Sequence, residues 1–217
     1  MSGGLIIRMK FKRGDTIVRE LKHHLPFSLI VSLLAGILVA VVYNFWSVPS
    51  ESFFEILHPA HVLVSAAATA AIYGKYKKSI FSGIVVGVFG AILIGSLSDV
   101  LLPWVAGNIF SLHTHFHLPI IESPFLILGI AIVGSLFGLF VGMFRFNHSL
   151  HIFLSVFASL FYLLAFSVAM SLWVVIGISL IVFLSVYIPC CLSDIVFPIL
   201  FIKKPCKECG HWHDGHD

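Results

Sequence analysis

The chain has 217 residues, 59% of them hydrophobic and 11% charged, with a formal net charge of +3 and a mean hydropathy of +1.05. Soluble domains are about 45–50% apolar and about 25% charged, so this composition excludes a water-soluble globular protein and a disordered chain. The 13 Lys and Arg are scattered and give no support to a nucleic-acid-binding surface.

In chain order, residues 1–25 mix basic and apolar positions as a short helix lying on a membrane surface does. The apolar run that follows is too long for the core of a cleavable signal and lacks a small-residue cleavage site. Six apolar segments then run from Pro26 to Phe45, Phe53 to Tyr73, Ser79 to Val105, Leu118 to Phe144, Leu150 to Met170 and Leu172 to Phe201. A helix needs about 20 residues to cross roughly 30 Å of hydrocarbon. The expected fold is therefore all-α, a polytopic integral membrane protein with six transmembrane helices.

Lys and Arg are enriched in cytoplasmic loops. Arg8, Lys10, Lys12, Arg13, Arg19 and Lys22 precede the first span, Lys75, Lys77 and Lys78 join the second and third, Arg145 joins the fourth and fifth, and Lys203 and Lys204 follow the sixth. With six spans all of these fall on one side. The expectation is a plasma (inner) membrane protein with both termini cytoplasmic.

An internal repeat divides the chain. His24-Leu25-Pro26 recurs as His117-Leu118-Pro119; His58, His61, Ser65 and Thr69 recur at the same spacing as His148, His151, Ser155 and Ser159; Leu97-Ser98-Asp99-Val100 recurs as Leu192-Ser193-Asp194-Ile195. Residues 26–105 and 118–203 then read as two three-helix repeats, separated by a His-bearing loop at 106–117 and followed by a tail at 204–217. An odd number of spans per repeat requires that the halves be inverted, an arrangement common among secondary transporters.

The polar residues inside the spans are the candidate site. His58, His61, Ser65 and Thr69 share one helix face, and an intramembrane carboxylate costs on the order of 3 kcal/mol and marks a pathway or a paired site. The reading is two clusters, His58, His61 and Asp99 toward the outer face and His148, His151 and Asp194 toward the inner, unless helix breaks at Gly95, Pro103, Pro189 and Pro198 bring them together. Two His and one carboxylate suit zinc or another divalent transition metal, and the same groups can relay protons. The hydroxyls Ser65, Thr69, Ser155 and Ser159 also suit helix packing alone. Cys190 and Cys191 are possible soft ligands or plain small apolar residues. His113, His115 and His117 alternate along the outer loop, where an extended backbone would turn them to one side.

The tail carries Cys206, Cys209, His211, His213 and His216, more N and S ligands than zinc takes, spaced too closely for a folded finger. It reads as a flexible cytoplasmic metal-binding segment with reduced thiols.

The stretch Tyr187-Ile188-Pro189-Cys190-Cys191-Leu192-Ser193-Asp194-Ile195-Val196-Phe197-Pro198, with the His-x-x-His helix of each half, resembles a family of prokaryotic polytopic membrane proteins without an established activity. The resemblance implies six spans and carries over no function. The leading expectation is a secondary transporter of a divalent transition metal, zinc first, acting with the bilayer and a metal ion or protons, with a homodimer as the candidate assembly. The alternatives are an intramembrane zinc hydrolase of a lipid amide or ester and a structural membrane subunit.

Overall fold

The computed structural model describes residues 22, 25–37, 41, 50–141, 147–166 and 172–191. Among them the structure is entirely helical: α1 (Leu25–Ile37), α2 (Ser50–Tyr76), α3 (Ile80–Ser96), a π-helical turn at Leu97–Leu101, α4 (Leu102–Ile109), the single turn α5 (Pro119–Glu122), α6 (Pro124–Val141), α7 (Asn147–Phe166) and α8 (Leu172–Cys191). Three stretches are long and apolar enough to cross a membrane: Ser50–Gly74, the continuous Ile80–Ile109, and Pro124–Val141. Large apolar side chains stand exposed on their outer faces, Phe125 at 91%, Phe81 at 78% and Ile56 at 68%. Water does not tolerate such a surface in continuous bands, and lipid does. The chain is a helical membrane protein.

The central helix is α2, which packs against α3, α6 and α7. Its middle is SAAATAA, and Ala66, Ala67, Ala68, Ala70 and Ala71 are all buried. Small side chains on α2 meet small ones on its neighbours. A Cβ on Gly134 would collide with the Leu63 carbonyl oxygen and one on Gly138 with the Ala67 carbonyl oxygen, and one on Gly87 would lie 2.9 Å from the Ala70 Cβ. Helices in lipid gain little from hydrophobic burial against each other, so close backbone approach through small-xxx-small faces is what holds them. Gly138→Val is accordingly expected to destabilise the protein by about 1–3 kcal/mol or more through overpacking, seen as a lowered unfolding midpoint in detergent, whereas Phe140→Val on the exposed face leaves it nearly unchanged.

Helix starts and stops follow local chemistry. Ser79 caps α3, its hydroxyl accepting from the Ser82 amide at 3.4 Å. The fourth expected span, Leu118 to Phe144, is interrupted by Pro119 and Pro124, so a single turn precedes the membrane-length helix α6. Near Asp99 the expected helix break is absent. Instead the Leu102 amide reaches back to the Leu97 carbonyl, a five-residue bond that widens the turn, and helix continues through Pro103. A proline cannot donate to the carbonyl four residues earlier and clashes with it; one π turn absorbs the conflict without breaking the rod. α8 likewise continues past Pro189 to Cys191. Of the six expected spans, the first is described as helix only over Leu25–Ile37, and the sixth beyond Cys191 lies outside the described residues.

Candidate functional site

α2 places His58 and His61 on one face, and the π turn brings Asp99 against them. The arrangement centres on the Asp99 carboxylate. Its Oδ2 accepts from His58 Nδ1 at 2.9 Å and His61 Nδ1 at 2.7 Å, and its Oδ1 accepts from Ser98 Oγ and Ser155 Oγ, each at 2.8 Å. His58, His61, Ser98, Asp99 and Ser155 are all buried, none more than 1% exposed. A carboxylate has about four lone-pair positions. All four are occupied, so Asp99 in this arrangement is saturated by two imidazoles and two hydroxyls.

The hydrogen positions follow from that saturation. An ionised carboxylate only accepts, so each Nδ1 facing it carries a hydrogen, and in a neutral ring the Nε2 is then an unprotonated acceptor. His58 Nε2 is buried and has no hydrogen-bond partner. A Cβ on Gly95 would press on Val62 at 3.3 Å and lie in ordinary van der Waals contact with His58 Cε1 at 3.8 Å and His61 Nδ1 at 3.9 Å, so this glycine lets α3 pack closely on the face of α2 that carries both rings.

The second half of the chain contributes directly. His151 packs its ring on His61 at 4.6 Å, Ser155 donates to Asp99, and Ser159 Oγ donates to the Ser98 carbonyl at 3.1 Å or that of Ser155 at 2.8 Å. The expected separation into an outer and an inner cluster therefore fails for His151, which packs on His61 without a helix break, and Ser155 and Ser159 join the same place. The reason is length. The aromatic pairs Phe53–Phe161 and Phe54–Tyr162 and the imidazole pair His61–His151 show α2 and α7 running antiparallel side by side, with α7 starting far enough along that its polar stripe faces that of α2. Ser65 and Thr69, expected on the same stripe as His58 and His61, are buried on it but do not reach Asp99; neither hydroxyl has a hydrogen-bond partner.

Among the described residues no three of His, Cys, Asp and Glu form a group that could hold a metal ion. The expected three-ligand set of His58, His61 and Asp99 is a hydrogen-bonded triad, because the carboxylate accepts from the imidazoles in place of coordinating beside them. Asp194, Cys206, Cys209, His211, His213 and His216 lie outside the described residues. His148, Cys190 and Cys191 occupy helical positions in α7 and α8, with side chains outside the described set.

Above the triad an aromatic group covers His58. Phe54 stacks on the His58 ring at 5.5 Å and meets Tyr162, Phe166 and His117 edge-on, while His117 stacks on Phe166 at 4.5 Å. The loop histidines do not form the one-sided array expected of an extended strand. Ser111 and His113 adopt left-handed backbone (φ 60° and 51°), so the alternation is broken; His113 and His115 are exposed while His117 turns inward and pairs with Glu122 at 2.8 Å. Tyr162 ties this loop down, its hydroxyl donating to the His115 carbonyl at 3.0 Å and accepting from the His117 amide at 3.4 Å. Tyr162→Phe is expected to lose about 1–3 kcal/mol and to raise amide hydrogen exchange at residues 115–117, with exchange around Asp99 unchanged.

The aromatic cover and the glycine contacts were not among the expected site residues. The sequence does carry a signal for the second, Gly-x-x-x-Gly at 83–87 and 134–138 in apolar helices. No protein-family model, curated protein or solved structure matches the chain.

Proposed function

We propose that the chain is a secondary transporter of a divalent transition-metal cation, zinc-like, that exchanges the metal for protons at the His58–Asp99–His61 triad. The observation that supports it is a fully buried carboxylate holding two imidazoles by Nδ1. That grip leaves the buried His58 Nε2, which has no hydrogen-bond partner, as the open lone pair of a neutral ring. An imidazole Nε2 takes either a proton or a metal ion and never both, so loading one expels the other. Asp99 supplies the balancing negative charge in either state and orients both rings from behind, as outer-shell carboxylates do in His-ligated metal sites.

Charge accounting gives the coupling. With both rings neutral the triad carries one negative charge in a medium where charge is expensive. One proton brings it to zero, and one divalent cation brings it to one positive. Alternation between these loads is the chemistry of an antiporter. The polar stripes of α2 and α7, antiparallel and meeting in one site, fit two inverted halves of an alternating-access carrier with six spans and both termini cytoplasmic. The arrangement with His58 Nε2 sealed beneath Phe54 is then the occluded state, and the Cys206–His216 tail is a cytoplasmic collector of the cargo.

The hydrolase reading requires Asp99 to activate water, and a carboxylate with four hydrogen-bond donors has no lone pair for that role. Cobalt(II) titration of the full chain carrying Cys206→Ser, Cys209→Ser, His211→Gln, His213→Gln and His216→Gln tests the proposal. Retention of one ion per chain, with proton uptake as the ion leaves at falling pH, is the expected result. Absence of any bound ion once the tail ligands are gone, or binding without proton exchange, sinks it.

A further inference from the structure

The contact between His58 and Asp99 has a counterpart nearer the surface. His117 Nδ1 meets Glu122 Oε1 at 2.8 Å, as His58 Nδ1 meets Asp99 Oδ2 at 2.9 Å. An ionised carboxylate only accepts, so in both pairs the hydrogen is on Nδ1 and Nε2 of the neutral ring is an acceptor. The difference is access. His58 and Asp99 are 1% and 0% exposed, whereas His117 and Glu122 are 16% and 48% exposed.

One phenyl ring lies between the two imidazoles. Phe54 stacks on His58 with ring centres 5.5 Å apart and meets His117 edge-on at 5.7 Å. It is fully buried, and its other ring neighbours, Tyr162 and Phe166, also meet it edge-on. A phenyl ring makes no strong hydrogen bond, so swinging it aside costs packing alone. The loop backbone just before His117 is tied down: Asn108 Nδ2 donates to the Thr114 carbonyl at 3.1 Å and the His115 amide to the Phe166 carbonyl at 2.8 Å. The parts free to move are therefore side chains. A purely apolar seal would carry phenylalanine at position 117; a histidine stacked on Phe166 at 4.5 Å and held by a carboxylate puts a proton- and metal-binding nitrogen into the seal. The segments that meet there, 50–58 and 110–123, carry exposed Glu51, Glu55 and Glu122 and no Lys or Arg, a local charge that draws cations.

We propose that His117 and Glu122 form an entrance site for the cation, and that Phe54 is the gate between that site and His58. The ligand class is a divalent transition metal, bound by the His117 imidazole with Glu122 behind it and water in the remaining positions. Among the described residues no third His, Cys, Asp or Glu joins the pair. So few protein ligands suit a site that must release its ion onward. With Phe54 turned aside, the ion passes from one carboxylate-held imidazole to the next. That cargo role rests on the transporter reading; the route to His58 does not.

Labelling with diethyl pyrocarbonate, which acylates unprotonated imidazole nitrogen, tests both parts. The protein is the purified full chain lacking the tail ligands, with each histidine read by mass spectrometry. The exposed His113 and His115 are expected to label first, His117 next and His58 last. Phe54→Ala is expected to bring His58 to the rate of His117, and Phe54→Leu to an intermediate rate, with the thermal midpoint reporting that each variant is folded. Val62→Ala, which opens space on the side where Gly95 of α3 packs, is expected to leave His58 protected. A protected His58 in both Phe54 variants, or one released equally by Val62→Ala, overturns the gate. Zinc is expected to slow labelling of His117, and to do so far less in Glu122→Gln. Labelling of His117 that is indifferent to zinc, or slowed equally in Glu122→Gln, overturns the entrance site. None of these readouts needs transport, so a released His58 without metal exchange, or metal exchange with His58 still sealed in the Phe54 variants, tells failure of the proposed function from failure of this inference.

Discussion

Asp99→Asn is expected to lower the proposed metal–proton exchange by roughly 10- to 100-fold, the range for losing an outer-shell carboxylate, and to destabilise the fold by about 3 kcal/mol or more, since hydrogen bonds to a charged acceptor contribute about 1.5–3 kcal/mol each. Four donors converge on this carboxylate: two imidazole Nδ1 and two serine hydroxyls. An asparagine offers one oxygen with two lone pairs and turns two N–H groups toward the rest. The hydroxyls can rotate to accept from the amide. The imidazoles can shift their hydrogens to Nε2, but that removes the lone pair a metal needs. Ser155→Ala removes one of the four donors and is expected to lower stability by only about 1–3 kcal/mol, with exchange reduced less than in Asp99→Asn. Thermal unfolding in detergent and flux in vesicles measure the two effects separately.

His58→Gln and His61→Gln carry the second large expectation. On the proposed transporter reading each removes an imidazole of the site itself, so loss of metal affinity should exceed the roughly 100-fold expected of an outer-shell change. Stability should suffer less than in Asp99→Asn, because a glutamine amide can still donate one N–H to Oδ2. The order of effects is the diagnostic: Asp99→Asn worst for stability, the histidine variants worst for affinity. A purely structural role for the cluster predicts that affinity is unaffected by all three. Isothermal titration with zinc on the variant lacking tail ligands measures it.

Much of this was legible before any coordinates, and the reasons are specific. An excess of apolar residues in runs of 20 or more can only be membrane helix. The i, i+3, i+7, i+11 spacing of His58, His61, Ser65 and Thr69 fixes a common face by helix geometry alone, and Asp99 stands out because carboxylates in spans are rare. The joining of Ser155 to Asp99 and of His151 to His61 was hidden, since periodicity reports faces of single helices and not which faces meet. The π turn was hidden as well: Pro103 announces a disturbance four residues earlier, but a break and a widened turn satisfy the same sequence. The left-handed Ser111 and His113 were hidden because few non-glycine residues adopt that conformation, even histidine, which is enriched in it, so an extended loop was the natural reading. The Gly134–Gly138 seam was visible in the letters and turned out to set how near α6 lies to the backbone of α2.

Placing the triad in the middle of the molecule assigns work to its surroundings. The aromatic cover of Phe54, Tyr162, Phe166 and His117 seals one approach, and the glycine seam holds α2 rigidly enough that two imidazoles stay aimed at one oxygen.

Flux in sealed vesicles tests the central claim most directly. Purified full-length protein is reconstituted into liposomes containing a zinc-sensitive dye, and the internal pH is clamped at, above or below the external value. Zinc uptake should be driven by an outwardly directed proton gradient, with a matching proton efflux, and should fall by at least 10-fold in Asp99→Asn vesicles of equal protein content. Zinc movement indifferent to the proton gradient, or no movement with folded wild-type protein, contradicts the account.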